Sequence, residues 1–190
     1  MQRENRLQSA NEVQPTYVFN RRTSKPEAGN KYYIRIATGG WNGAIQGNPT
    51  DPDCNVLSNC VGYANGRFNE IGGYNSCKYQ LTSNAANFMS SAASYGLRTG
   101  SKPKLGAIMV WAGGKSGAGH VAIVEHVDSD TQVQTTESAY YGSAFYKLTR
   151  SKGSGNWGSG SQYSFIGFIY NPAVPDTENI DEKIYDGGPV

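Results

Sequence analysis

The chain has 190 residues, a length that fits one domain with a short tail and suffices to bury a hydrophobic core without metal or disulfide staples. Hydrophobic residues make up 37%, and no run approaches the roughly 20 apolar residues that cross a bilayer, which excludes a helical membrane span. Only 17% of residues are charged, against 24 Gly and 13 Tyr; this bias disfavours helical bundles and coiled coils and favours short strands joined by glycine turns.

The first fourteen residues, MQRENRLQSANEVQ, are polar and carry no apolar core of a classical signal peptide. Residues 1–30 hold Pro15 and Pro26 and no clean periodicity, and read as an irregular or partly docked N-terminal arm. Residues 31–172 carry the alternation, the glycine punctuation and most aromatics, and read as the folded domain. A helix is predicted after the cap Ser58-Asn59, with Val61, Ala64, Phe68 and Ile71 recurring on one face and Gly72-Gly73 as the stop. A second, weaker helix is predicted over residues 84–95. Beyond Pro103 the pattern has period two, and strands are predicted over Leu105–Ala112, Gly119–Val127, Gln132–Ser138 and Phe165–Tyr170. Helices followed by consecutive strands imply an α+β fold with an antiparallel sheet.

Residues 173–190 are rich in Pro and acid and read as an acidic linker leading to a further module. The last twenty residues hold five acids against Lys183, so residues 1–170 carry 16 basic and 10 acidic residues, or +6. A basic body fits an anionic partner, either nucleic acid or an anionic bacterial wall, and charge alone does not choose between them.

Three cysteines stand at 54, 60 and 77, and an odd count cannot be fully paired within the chain. Cys60 falls in the first turn of the predicted helix, where amide groups and dipole favour an anion, the setting a nucleophilic thiolate needs. A lone cysteine is also commonly a buried structural residue. Cys54 and Cys77 lack the helix-start setting.

The two histidines, His120 and His126, lie on one predicted strand, GHVAIVEHV, about 20 Å apart, too far to serve one site together. His120 opens the strand beside the glycine-rich loop GGKSGAG, where a catalytic imidazole belongs. His126 reads as a surface or packing residue. If Asp128-Ser129 is the two-residue turn, Glu137 lies directly opposite His120. If Ser129-Asp130 is the turn, Glu137 faces Ala122 on a diagonal. Either register puts the carboxylate within reach of the imidazole, where it can accept the Nδ1–H and fix the tautomer.

The ordered blocks Asn59-Cys60-Val-Gly-Tyr63-Ala-Asn-Gly-Arg67-Phe, Pro103-Lys-Leu-Gly106-Ala-Ile-Met-Val110-Trp111, Gly119-His120-Val-Ala-Ile-Val124 and Thr-Glu137-Ser resemble the CHAP domain, the cysteine- and histidine-dependent amidohydrolase/peptidase module. Together with GGWN at 39–42 and FIGFIYNP at 165–172, they look closest to CHAP domains of phage endolysins that act on Gram-positive walls. The resemblance covers roughly residues 31–172. It implies a papain-like fold, with Cys60 as nucleophile, His120 as base and Glu137 as orienting acid. Many relatives place Asn two residues after this Glu, where this chain has Ala139.

The activity so implied is peptidoglycan hydrolysis at an amide or peptide bond, by an amidase or an endopeptidase. The rivals are a papain-like cysteine peptidase acting on proteins and a catalytically silent wall-binding module. The implied partner is bacterial peptidoglycan in an anionic wall, with no nucleic acid and no membrane span, for a monomeric domain held in the host cytoplasm until lysis and then at the cell wall. No organic cofactor is expected. Asp51, Asp53 and Asn55 fall at positions 1, 3 and 5 of a calcium-loop pattern, although position 6 is Val56 and position 12 is Gly62. Some CHAP endolysins bind calcium in this stretch, so calcium is the expected metal. Trp41, Trp111, Trp157, Tyr140 and Tyr141 are candidates for a groove lining, with Trp111, inside a strand, read as core.

Overall fold

A computed structural model describes residues 16–35, 55–74, 78–81, 83–176 and 179–185. The chain folds as α+β, with few and short helices. Helix α1 runs Cys60–Ile71. A single 3-10 turn at Ala85–Asn87 leads into α2, Phe88–Ser94, so the helix predicted over 84–95 divides in two. Strands β1 (Tyr17–Arg22), β2 (Ile34–Arg35), β3 (Val56–Leu57), β4 (Thr99–Gly100), β5 (Ile108–Gly113), β6 (His120–Ser129), β7 (Gln132–Glu137), β8 (Tyr146–Ser151), β9 (Tyr163–Ile169) and β10 (Ile180–Tyr185) complete the elements.

Six of these strands form one sheet in the order β4-β9-β5-β6-β7-β8, and every neighbouring pair is antiparallel. Central strands β5 and β6 are apolar on both faces because both faces are covered. Ile108, Val110, Val121 and Ile123 pack against Val61, Tyr63, Ala64 and Phe68 of α1. The alternate residues Met109, Trp111, Ala122 and Val124 form a second core with Trp157 and Phe168. Alternation is therefore present, but it sorts side chains between two cores rather than between core and water.

Helix α1 begins as its cap signal requires: Asn59 is the N-cap, and its Oδ1 accepts the N–H groups of Val61 at 2.9 Å and Gly62 at 3.2 Å. The apolar stripe read from the sequence understates its burial, since every residue from Val61 to Asn69 is buried. The polar members are satisfied inside the fold. Arg67 makes paired contacts with Glu125 at 2.8 and 2.9 Å, and Asn65 donates to the Asn55 Oδ1 at 2.7 Å.

Within the stretches read as an irregular or partly docked arm and as an acidic linker, the described residues include two strands. Residues 17–22 and 180–185 pair as a parallel ribbon, β1 with β10, in register from Tyr17–Ile180 to Arg22–Tyr185. Phe19, fully buried with Leu105 and Val174, docks the ribbon on the body beside Ile71 and Val127. Arg22 adds its backbone N–H to Glu125 at 2.9 Å and its guanidinium to Glu70 at 2.5 Å. Each strand completes its hydrogen bonding only on a partner more than 150 residues away, so neither carries a local signal.

Candidate active site

A groove of about 670 Å³ opens between the start of α1 and the sheet, and both Cys60 and His120 line it. Cys60 is half-buried at the first position of α1, one residue after the cap. His120 opens β6 opposite Trp111 of β5, with ring centroids 5.9 Å apart. Gly119 sets this placement. Its φ is +80°, and a Cβ there would stand 2.3 Å from the Trp111 carbonyl oxygen and 2.6 Å from the Ala86 nitrogen. Only glycine allows the strand to start so close to its neighbours.

The acid lies where the diagonal register puts it, for a reason the sequence does not show. The turn is Asp130-Thr131, one residue later than the second predicted alternative and two later than the first, with Ser129 opposite Gln132. Two bulges, one between Val124 and His126 and one between Val127 and Ser129, then shift the pairing to Ile123–Thr136. Glu137 is fully buried, and its Oε2 sits 2.6 Å from His120 Nε2. The ring meets the carboxylate through Nε2 rather than the Nδ1 expected from sequence, so Nδ1 is the nitrogen left for the thiol.

Charge in this cluster is strongly organised. Burial disfavours the His120 imidazolium, but hydrogen bonds to Cys60 and Glu137 and the charges of both outweigh it, pushing the pKa up to about 9. Burial likewise opposes ionisation of Glu137, yet His120 and Arg150 together bring its pKa down to about 2. The site thus favours a protonated imidazole between a thiol and a carboxylate that is ionised at every working pH. That arrangement can deliver a thiolate to a carbonyl and a proton to a leaving amine.

His126 is far from this chemistry. It is half-buried, with Nδ1 2.6 Å from Glu182 of β10 and Nε2 3.5 Å from Asp128. Of the aromatics expected to line the groove, Trp111 and Trp157 are buried, while Tyr140 lies in the lining and Tyr140 and Tyr141 are exposed. Trp157 is a core residue of the second cluster rather than a groove residue. Trp41, Cys54 and Cys77 lie outside the described residues, as do Asp51 and Asp53.

Asn55, the third residue of the calcium reading, is fully buried. Its Nδ2 donates to the Tyr32 carbonyl at 3.0 Å, and its Oδ1 accepts from Asn65 at 2.7 Å. Its side chain is thereby used to fasten the segment before α1 to the helix, which does not fit a ligand facing an ion. Among the described residues no group of three or more His, Cys, Asp or Glu is placed to hold a metal.

Sequence reasoning missed Arg150 and Tyr146 of β8. Arg150 Nε and Nη2 reach the two Glu137 oxygens at 2.6 and 2.8 Å, and the Tyr146 hydroxyl donates to Oε2 at 3.2 Å. The signal was the alternating segment YKLTRS, which places Tyr146, Leu148 and Arg150 on one face.

The model of the CHAP domain family matches residues 50–139, just under half of the chain. The fold is also similar to the crystal structure of an N-acetylmuramoyl-L-alanine amidase from Staphylococcus aureus, with 25% identity and a TM-score of 0.41. That likeness covers 60% of this chain and 31% of the amidase, so the chain spans about a third of that protein's length. No helix among the described residues is long and apolar enough to cross a membrane.

Proposed function

Because the chain carries a CHAP domain over residues 50–139, we propose that it is a cysteine peptidoglycan hydrolase of the endolysin kind, cleaving an amide or peptide bond of the bacterial wall. The observation that carries this reading is the pairing of His120 with a buried Glu137 in the same groove as a cysteine at a helix N-terminus. A wall-binding module has no use for a thiol in that position or for a carboxylate kept charged at the cost of its burial.

In the proposed reaction the Cys60 thiolate attacks the scissile carbonyl carbon, and the electron pair of the C=O moves to oxygen. The Cys60 backbone N–H, at the start of α1, serves as one oxyanion donor. As the C–N bond breaks, the protonated His120 gives its proton to the leaving amine. Water, deprotonated by the neutral His120, then attacks the thioester, and the released thiolate and reprotonated imidazole restore the starting pair. Glu137 stays ionised throughout and holds the ring by Nε2. No step passes through a metal ion.

Turbidity loss of purified Gram-positive walls tests the reading, with Cys60→Ser protein as the control. Clearing by the native chain but not the variant is the expected result. Binding to walls without clearing would replace hydrolase by binding module, and cleavage of casein but not walls would replace it by a general peptidase. Mass spectrometry of the released fragments identifies the bond.

A further inference from the structure

Glu137 accepts from five donors, and four of them are neither substrate nor imidazole. Besides His120, its Oε1 receives Thr135 Oγ1 at 2.5 Å and Arg150 Nε at 2.6 Å; its Oε2 receives Arg150 Nη2 at 2.8 Å and the Tyr146 hydroxyl at 3.2 Å. Arg150 is the one cation in this set that does not take part in the chemistry. Its side chain is 7% exposed, and its guanidinium lies 4.6 Å from the Trp111 ring centre. The remaining nitrogen, Nη1, donates to the Trp157 carbonyl at 3.1 Å and to Ser159 Oγ at 3.2 Å. Ser159 belongs to the loop after β8 that forms one wall of the groove. Every face of this guanidinium is therefore committed, and its fork is aimed at one carboxylate.

The strand register makes the contact deliberate. Arg150 stands opposite Val133, four residues along β7 from Glu137, which is roughly 13 Å of strand. Both side chains lean along the sheet to meet. Tyr146, directly opposite Glu137, would have been the nearer cationic position.

We propose that Arg150 is a positioning residue for the His120–Glu137 pair. Its two-pronged grip fixes the plane of the carboxylate, so that Oε2 faces His120 Nε2 and the ring presents Nδ1 to Cys60. It also shares the carboxylate's charge, so the imidazolium is held less tightly and its proton is easier to release to a leaving amine. The charged or titratable groups facing His120 are Cys60 from α1, Glu137 from β7, Arg150 and Tyr146 from β8 and Tyr163 from β9. Arg150 is the member of that set whose removal changes the pair's charge without touching the thiol or the ring.

The inference rests on the triad reading of the site but not on the identity of the substrate, and its test has two separate readouts. The first is the rate of Cys60 alkylation by iodoacetamide across pH, which needs no wall. The second is kcat and KM for wall digestion. In Arg150→Met the buried carboxylate is compensated by His120 alone, so the high-pH limb of both profiles should move up by about half a unit or more. With the ring less well aimed, kcat should fall about tenfold while KM stays within about twofold. Arg150→Lys keeps the charge but not the fork; it should return the limb toward the native position and leave kcat clearly reduced. If Arg150→Met folds and both its alkylation profile and its kcat match the native protein, the positioning role is overturned. If it does not fold, Arg150→Lys decides, and native kcat in that variant overturns the role. Loss of the limb shift with intact alkylation of native protein speaks against Arg150; normal alkylation with no wall digestion by the native protein speaks against the substrate instead.

Discussion

The backbone N–H of Asn59 donates to the hydroxyl of Ser138 at 3.1 Å. One residue precedes the candidate nucleophile and the other follows the candidate acid, so this bond ties the start of α1 to the end of β7. Ser138 is itself held, its hydroxyl donating to the Ser143 carbonyl at 3.4 Å. Ser138→Ala removes the hydroxyl that accepts the Asn59 N–H. It should lower stability by about 1 kcal/mol and lower activity further than that loss explains. Thermal unfolding beside a lysis assay checks this; unchanged lysis would show that the tie does not align the site.

The proposed roles of the sulfur and nitrogen atoms separate cleanly by substitution. Cys60→Ser should abolish lysis while retaining the fold, since a hydroxyl does not ionise as a thiol does. His120→Ala should be inactive. His126→Ala, which loses only contacts to Glu182 and Asp128, should lose activity no further than it loses stability. Glu137→Gln should be damaged less than His120→Ala. Lysis by the Cys60→Ser protein at a substantial fraction of native rate would sink the assignment.

The acid–base pair makes a signed prediction about pH. His120 has its pKa raised from 6.5 to about 9, so the stability it contributes is fully present below about 6.5 and disappears as pH rises through about 9. Activity should fall over the same upper range, because the leaving amine then loses its proton donor. Glu137 is lowered from 4.5 to about 2, so its contribution is present above about 4.5 and is lost as pH falls toward 2. Rate profiles and thermal melts between pH 5 and 10 read the upper limb, a window chosen to bracket both His120 values. An activity limb near pH 6.5 in native protein would show that His120 is not stabilised as an imidazolium.

On the other side of α1, Arg67 is buried between Glu125, at 2.8 Å, and Glu70, at 2.9 Å, while Arg22 also grips Glu70. The Glu70 pKa is opposed by burial but brought down to about 2 by the two arginines. Removing one member leaves a buried charge uncompensated. Arg67→Met should therefore cost about 3–5 kcal/mol, as buried ion pairs do when broken. Chemical denaturation measures it, and a loss under 1 kcal/mol would mean that the network relaxes onto solvent.

Calcium remains a separate proposal resting on Asp51 and Asp53. With no acid at Gly62 and the Asn55 side chain engaged inside the fold, calorimetric titration of metal-free protein should give weak binding, in the roughly millimolar range of open extracellular sites, and Asp51→Ala should abolish it. Added calcium should raise the melting temperature of native protein alone. No heat of binding up to millimolar concentration would discard the site and leave the Cys60–His120–Glu137 assignment untouched.

What the sequence determined by itself is what local chemistry encodes. The Asn59 cap, the spacing of Val61, Ala64 and Phe68, and Gly72-Gly73 wrote α1 to within a residue. Apolar strands with glycine between them wrote β5, β6, β7 and β9, and the thiol, the imidazole and the carboxylate were legible as residue types at a helix start, a strand mouth and the facing strand. Tertiary structure decided everything that depends on a distant partner. The two bulges in β6 chose the register that brings Glu137 to His120, and the fold chose the ring nitrogen that faces it. Arg150 entered the site from four residues along a neighbouring strand, and β1 found β10 across the whole chain. A cap or a helical face is fixed by neighbours in sequence, whereas a strand edge or a buried charge is satisfied only by whatever group the completed fold places against it.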